Sequence, residues 1–213
     1  MKASNYEIPS SLDALKDEVA RRTTDTYRFE HTLSVCAECL AIAEFFDISE
    51  SDRHRLAVAA LLHDIAKGLE TSEYVALDKK YSIGYTSDDL ASPAVLHAKA
   101  GAAIVQNELA SYSDSEIISA IASHTTGAEN MSLIAKILFV ADYTEPTRKW
   151  EACRSARLSL HSSLQDAGSN PLAVLDRAIL SILESTISHL EENGKKVHPD
   201  TAKCQEFILK TIE

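Results

Sequence analysis

Asp25-Thr26-Tyr27-Arg28-Phe29-Glu30-His31-Thr32-Leu33-Ser34-Val35-Cys36-Ala37-Glu38-Cys39-Leu40-Ala41-Ile42-Ala43-Glu44-Phe45-Phe46 is the stretch that decides the architecture. At about 100° per residue, Phe29, Leu33, Cys36, Leu40 and Ala43 fall on one apolar stripe. Val35, Ile42 and Phe46 fall on a second, roughly opposite. A helix that is apolar on two sides sits inside a bundle. His31 lies on the second stripe and is expected to point inward.

The same signals recur outward from this helix. Thr24 stands before 25–46, and Ser49-x-x-Asp52 before 53–67. Ser92-Pro93 opens 93–109, Ser113-x-x-Glu116 opens 116–124, and Asn170-Pro171 opens 171–192. Each is an N-cap with an acid three residues on or Pro in the first turn. Asn193-Gly194 closes the long helix as a left-handed cap. Further helices are expected at 11–22, 72–80, 129–143, 149–161 and 199–212. Breaks are expected at Gly68, 83–91, 125–128, Glu145-Pro146 and 167–169. No linker, repeat or composition shift divides the chain. The expectation is a single all-α domain over 1–213, with about eight to ten helices. Its core lies at about 25–160, with C-terminal helices over 171–213 packed on it.

Composition agrees. The chain has 213 residues, 45% of them apolar, enough for a full core. Six Gly and five Pro, with no two Gly close together, argue against turn-rich β folds, disorder and a Gly-rich phosphate loop. The net charge of −11 repels duplex nucleic acid and anionic membrane surfaces. Any anion handled here must be attracted by something other than net side-chain charge. The N-terminal residues Met1 to Glu7 lack a signal-peptide core, and Leu56–Leu62 is too short to span a membrane. Cys36, Cys39, Cys153 and Cys204 read as free buried thiols, and a cytoplasmic location is expected.

Against this apolar background several ionisable residues stand out. His63 and Asp64 follow Ala57-Val58-Ala59-Ala60-Leu61-Leu62. His97 lies in Ala94-Val95-Leu96-His97-Ala98. His124 ends Ile117-Ile118-Ser119-Ala120-Ile121-Ala122-Ser123, and Asp142 ends Ile137-Leu138-Phe139-Val140-Ala141. Burying any of them unpaired costs several kcal/mol. With His31 they make five such segments, and a divalent metal is the simplest partner they share. Mixed His and carboxylate donors suit zinc, iron or manganese. Asp142 at a helix C-terminus is otherwise an unfavourably placed negative charge.

The order His31 … His63-Asp64 … His97 … His124 … Asp142 resembles the HD-domain metallophosphohydrolases, helical bundles with a metal centre. Arg28-Phe29-Glu30-His31-Thr32, Leu62-His63-Asp64-Ile65-Ala66-Lys67 and His97-Ala98-Lys99-Ala100-Gly101-Ala102 narrow the resemblance. So do His124-Thr125-Thr126-Gly127 with Met131-Ser132, Ala141-Asp142-Tyr143-Thr144-Glu145-Pro146-x-Arg148, and Val197-His198-Pro199-Asp200-Thr201. These resemble the YqeK family of symmetrical dinucleoside-tetraphosphatases. Lys99 departs from that pattern, standing where a less bulky residue is expected.

The resemblance implies symmetrical hydrolysis of diadenosine tetraphosphate to two ADP, with a metal-bridging hydroxide as nucleophile. It implies two metal ions, iron or alternatively manganese. His31, His63, Asp64 and Asp142 would hold one, His97 and His124 the second, with Asp64 bridging. Catalytic roles fall to Asp64, Lys67 and Arg148. Substrate contacts fall to Arg28, Lys67, His97, Thr125, Arg148, His198 and Thr201. Lys67, at i+4 from His63, shares its helix face. Two other readings stay open: an HD-domain phosphohydrolase for a nucleoside phosphate, an alarmone or a cyclic dinucleotide, and a non-catalytic nucleotide sensor. Whether the chain forms a homodimer also stays open.

The remaining candidates read as structural. His54, His161 and His189 are expected at the surface, and Trp150, the only Trp, is expected to pack. Cys36-x-x-Cys39 lies mid-helix without a second pair. Ser87-Asp88-Asp89 reads as a turn and a cap.

Overall fold

Helix α2 (Thr26–Ala43) packs both of its stripes on the core, with Phe29 and Leu33 half-buried, and the rest of the chain is arranged around that fact. Val35, Cys36, Cys39 and Ile42 have no exposed surface, and His31 is buried. The computed structural model describes residues 7–23, 25–166, 168 and 170–212. Thr24, Ala167 and Ser169, and the N-terminal residues up to Tyr6, lie outside the described residues. Asp25 caps α2 instead, its carboxylate accepting from the Tyr27 N–H.

Among the described residues ten more α-helices complete the fold, eleven in all where about eight to ten were expected, because the stretch read as a break at 83–91 holds one of them. They are α1 (Asp13–Arg22), α3 (Glu50–Leu62), α4 (Thr71–Tyr81), α5 (Ser87–Ala91), α6 (Leu96–Glu108), α7 (Ser115–Ser123), α8 (Leu133–Thr144), α9 (Glu151–Gln165), α10 (Pro171–Glu192) and α11 (Pro199–Ile212). No strand occurs among the described residues, so the all-α reading is borne out. The expected caps form at Ser49 and Asn170. Gly194, at φ +63°, closes α10 with its N–H on Glu191 O and that of Lys195 on Leu190 O.

Several boundaries differ from the sequence reading: α6 starts at Leu96, after a 3-10 turn over Pro93–Val95 that Ser92 does not cap with its side chain, α8 starts at Leu133 and α9 runs to Gln165. α7 is capped by Asp114, whose carboxylate accepts from the Glu116 N–H, and not by Ser113. The expected helix 53–67 stops at Leu62, and tight turns follow, Ile65 N–H to Leu62 O and Lys67 N–H to Asp64 O. His63 and Asp64 therefore sit at a helix end. The expected break at 83–91 contains α5, because Asp89 is 1% exposed and faces inward. Its carboxylate takes the Thr86 N–H and hydroxyl and the Lys99 ammonium, each at 2.7 Å. That pairing also explains the bulky Lys99.

α3 and α8 pack on α2, and α7 on α3, α6 and α8. Ile137, Leu138, Val140 and Ala141 of α8 are fully buried, and the same core continues through Leu175, Ile179 and Leu183 of α10 to Cys204 and Ile208 of α11. Each such Leu or Ile contributes about 1.5–3 kcal/mol by leaving water. Lys136 of α8 and Asp176 of α10 form a buried ion pair at 2.6 Å. Gly127, at φ +70°, lets α11 come close, since a Cβ there would lie 2.6 Å from Cys204 Sγ.

Two expectations are corrected. His161 is mostly buried and bonds the buried Glu38 at 2.7 Å, tying α9 to α2, because Glu38 needs a partner inside the bundle. Trp150 does not pack; it is 74% exposed, since it precedes α9 on the outside of a turn. All four cysteines are free and buried. Among the described residues no helix is long and apolar enough to cross a membrane.

Candidate metal centre

Three helices end at one point. His63 follows the last residue of α3, His124 that of α7, and Asp142 lies in the last turn of α8. His97 adds the first turn of α6, and His31 the second turn of α2. Carbonyls at a helix C-terminus lack intrahelical partners, and two histidines use them. His63 Nδ1–H donates to Ala60 O and His124 Nδ1–H to Ile121 O, both at 2.7 Å. His31 Nδ1–H donates to the Glu145 carboxylate at 3.0 Å. A carbonyl or a carboxylate can only accept, so Nδ1 carries the proton and Nε2 is turned to the centre.

The Nε2 atoms meet two carboxylates. His31 lies 3.1 Å from Asp142 and 4.0 Å from Asp64; His63 lies 3.7 Å from Asp64 and 3.8 Å from Asp142. His97 and His124 lie 3.2 and 3.5 Å from Asp64 Oδ1. Three donor triads result: His31–His63–Asp64, His63–His124–Asp142 and Asp64–His97–His124, each within 4.8 Å. Asp64 is common to the first and last.

The fit to a cation rests on the chemistry of these donors. His63 Nε2 is fully buried and has no hydrogen-bond partner, an orphaned acceptor of a kind that folded proteins rarely leave. Burial pushes His63 and His97 down to about 4, so both are neutral at pH 7. Burial also disfavours ionised Asp64 and Asp142, but it is outweighed. His63, His124 and His97 hold Asp64 well below the usual carboxylate range, and His31 and Arg148 do so for Asp142. Burial opposes charge on His31 too, yet the Asp142 and Glu145 carboxylates raise it to about 9. A divalent metal binds ionised carboxylates and unprotonated imidazole nitrogens, so it would find His63 and His97 neutral and would displace the Nε2 proton of His31; the mixed N and O donors suit zinc, iron or manganese.

Other candidates ring this cluster. Lys67 Nζ donates to His97 Nε2 at 3.0 Å and lies 3.4 Å from Asp64. The Arg148 guanidinium donates to the Asp142 carboxylate at 2.8 Å and to its carbonyl at 2.6 Å. Thr125 Oγ1 is 3.2 Å from His124 Nε2 and 3.3 Å from His97 Nε2. Arg28 stands beside Lys67 and Asp64 in a small polar notch, its guanidinium against the bare Cα of Gly68 (φ +90°). A cleft of 680 Å³ opens past Thr125, walled by Pro93, Val95, Lys196, His198 and Thr201. His198 Nδ1 accepts from the Asp200 N–H at 3.2 Å, and its Nε2 faces Asp89 at 3.4 Å. Both ring nitrogens thus face protein, and His198 offers the cleft its ring rather than a donor.

Glu145 is the residue that sequence reasoning missed. It is fully buried and accepts from His31, from the Thr147 N–H and from the Thr147 hydroxyl. Its place between Asp142 and Arg148, followed by Pro146, was the available signal.

An all-helical bundle with buried His and Asp donors gathered at helix ends defines a metal-dependent hydrolase. The HD domain matches residues 28–147, and the chain belongs to the HD domain family. It is similar to the symmetrical bis(5'-nucleosyl)-tetraphosphatase of Halalkalibacterium halodurans, at 31% identity over 86% of this chain and 89% of the relative. The protein of the same name from Bacillus subtilis is 30% identical over 86% of this chain and 90% of its own length. The resemblance read from the motifs is borne out by both. A crystal structure of a predicted HD superfamily hydrolase involved in NAD metabolism from Clostridium acetobutylicum has the same fold. Its TM-score is 0.79 and its identity 23%, over 96% of this chain and all of that one.

Proposed function

We propose that this protein hydrolyses diadenosine tetraphosphate symmetrically to two ADP. The observation that carries the reading is the Asp64-centred donor cluster opening onto the cleft beyond Thr125. The similarity to symmetrical tetraphosphatases over most of the chain supplies the substrate class.

His31, His63, Asp64 and Asp142 would hold one metal, and His97 and His124 a second shared through Asp64. Iron is the preferred identity and manganese the alternative. Bound there, a divalent pair supplies Lewis acidity toward phosphate and makes water a stronger acid. The chain's own groups do the rest. Lys67 and Arg148 donate to non-bridging phosphate oxygens, where charge grows during transfer. The Thr125 hydroxyl orients the phosphate nearest the cleft, and Arg28 holds the chain of phosphates from the notch beside Gly68. His198 and Thr201 border one nucleoside. Residues 1–213 act as one domain, in a cytoplasm that keeps the four thiols reduced.

Product analysis tests this. Metal-loaded protein is expected to release ADP alone from diadenosine tetraphosphate, and Asp64→Ala to lose metal and turnover together. ATP plus AMP as products would sink the symmetrical assignment, and retained turnover in Asp64→Ala would sink the bridging role. Faster cleavage of an alarmone or a cyclic dinucleotide in the same panel would replace the substrate.

A further inference from the structure

Trp150 is the most exposed large apolar side chain among the described residues and the only Trp in the chain. Its backbone is nonetheless fixed. The Arg154 N–H donates to its carbonyl at 3.0 Å, and the turn leading to it is held from both sides. Arg157 donates to the carbonyls of Thr144 and Glu145 at 3.0 and 2.6 Å, and Glu145 accepts from the Thr147 N–H at 2.6 Å. The indole is therefore displayed in water from a rigid mount.

Its position relative to the metal centre follows from the chain. Arg148, two residues earlier, bonds Asp142. Two residues span at most about 7 Å, so the Trp150 backbone lies within that distance of the Arg148 backbone, on the side of the cluster where the Arg148 guanidinium meets Asp142. The 680 Å³ cleft opens at the other edge, where Thr125 touches His97 and His124. Between Arg148 and the indole, Lys149 is exposed and makes no ion pair among the described residues.

We propose that Trp150 is a stacking platform for the second nucleobase of a dinucleoside tetraphosphate, with Lys149 beside the phosphates of that arm. The proposal rests on the function assigned above. A substrate cut at its midpoint extends two equal arms from the scissile bond. One arm enters the cleft past Thr125. The other passes Arg148 and meets a cation and then an aromatic face. Every base has a π-face, so stacking on indole tolerates different bases. The cleft, not the platform, then discriminates between nucleosides.

A single Trp makes its own emission the readout. In metal-loaded wild-type protein, the P2,P3-methylene analogue of diadenosine tetraphosphate is expected to quench that emission saturably. ADP, which fills only the cleft arm, is expected to leave it unchanged. Trp150→Ala should raise KM for the dinucleotide about tenfold, with kcat and the ADP inhibition constant held, and Trp150→Phe should restore most of the loss. Emission unmoved by analogue that blocks turnover overturns the proposal, as does an unchanged KM in Trp150→Ala or equal quenching by ADP. Blue-shifted emission that ignores the analogue means a second copy covers the indole, and also overturns it. Normal ADP release with unmoved emission removes the platform alone; no ADP release from the wild type removes the assigned function as well.

Discussion

His31 donates its Nδ1–H to Glu145, a carboxylate with no exposed surface of its own, and so turns Nε2 toward Asp142 and the candidate metal centre. A carboxylate behind a ligating histidine fixes the ring and raises its donor strength. Glu145→Gln and Glu145→Ala are expected to weaken metal affinity about 10- to 100-fold. Calorimetric titration with manganese checks this, and unchanged affinity in both variants would remove Glu145 from the centre.

Lys67 reaches His97 and Asp64 from the rim of the cluster and is partly exposed. Lys67→Ala is expected to lower kcat about hundredfold, the loss that follows removal of one donor to transition-state charge. Metal content by elemental analysis should stay at the wild-type level. Metal lost together with activity would reassign Lys67 to holding the site together.

The Lys136–Asp176 pair between α8 and α10 is buried on both sides. Asp176→Ala leaves an ammonium without a partner and is expected to cost about 3–5 kcal/mol. The double variant Lys136→Met with Asp176→Leu should recover most of it, because it removes both charges and keeps the volume. Urea unfolding measures both, and a double variant no better than the single one contradicts the assignment.

Glu108 joins α1, α4 and α6 by accepting from Tyr81, Arg22 and Lys80, and these partners bring its carboxyl down to about 2. A depressed carboxyl contributes stability above its ordinary value of 4.5, lost as pH falls from there through about 2. Because the cluster is partly exposed and screened, about 1 kcal/mol is expected. Glu108→Gln should show that loss at pH 7 and none near pH 2; a difference that persists in acid points to packing instead.

Periodicity was enough for the bundle because apolar stripes and caps are local. The two stripes of α2 required neighbours on both sides, and α3 and α8 supply them. The five ionisable segments were legible for a related reason: each breaks an apolar run. What stayed hidden depended on partners distant in sequence. Glu145 reads as a helix-end acid until His31 is brought 3.0 Å away, 114 residues earlier in the chain. His161 looks like a surface residue until Glu38 is buried opposite it. Asp89 looks like a simple cap until Lys99 closes over it. Trp150 failed in the other direction, since hydrophobicity alone cannot tell a packed indole from a displayed one.

The convergence of α3, α7 and α8 by their C-terminal ends has an electrostatic consequence. Each end carries about half a negative charge from its peptide dipoles, and Asp64 and Asp142 add full ones at the same point. The pit thus attracts cations, and Lys67 and Arg148 at its rim offset that charge only in part. Divalent cations bound there would reverse the local sign that a polyphosphate meets. Chelation is then expected to weaken nucleotide binding as well as turnover.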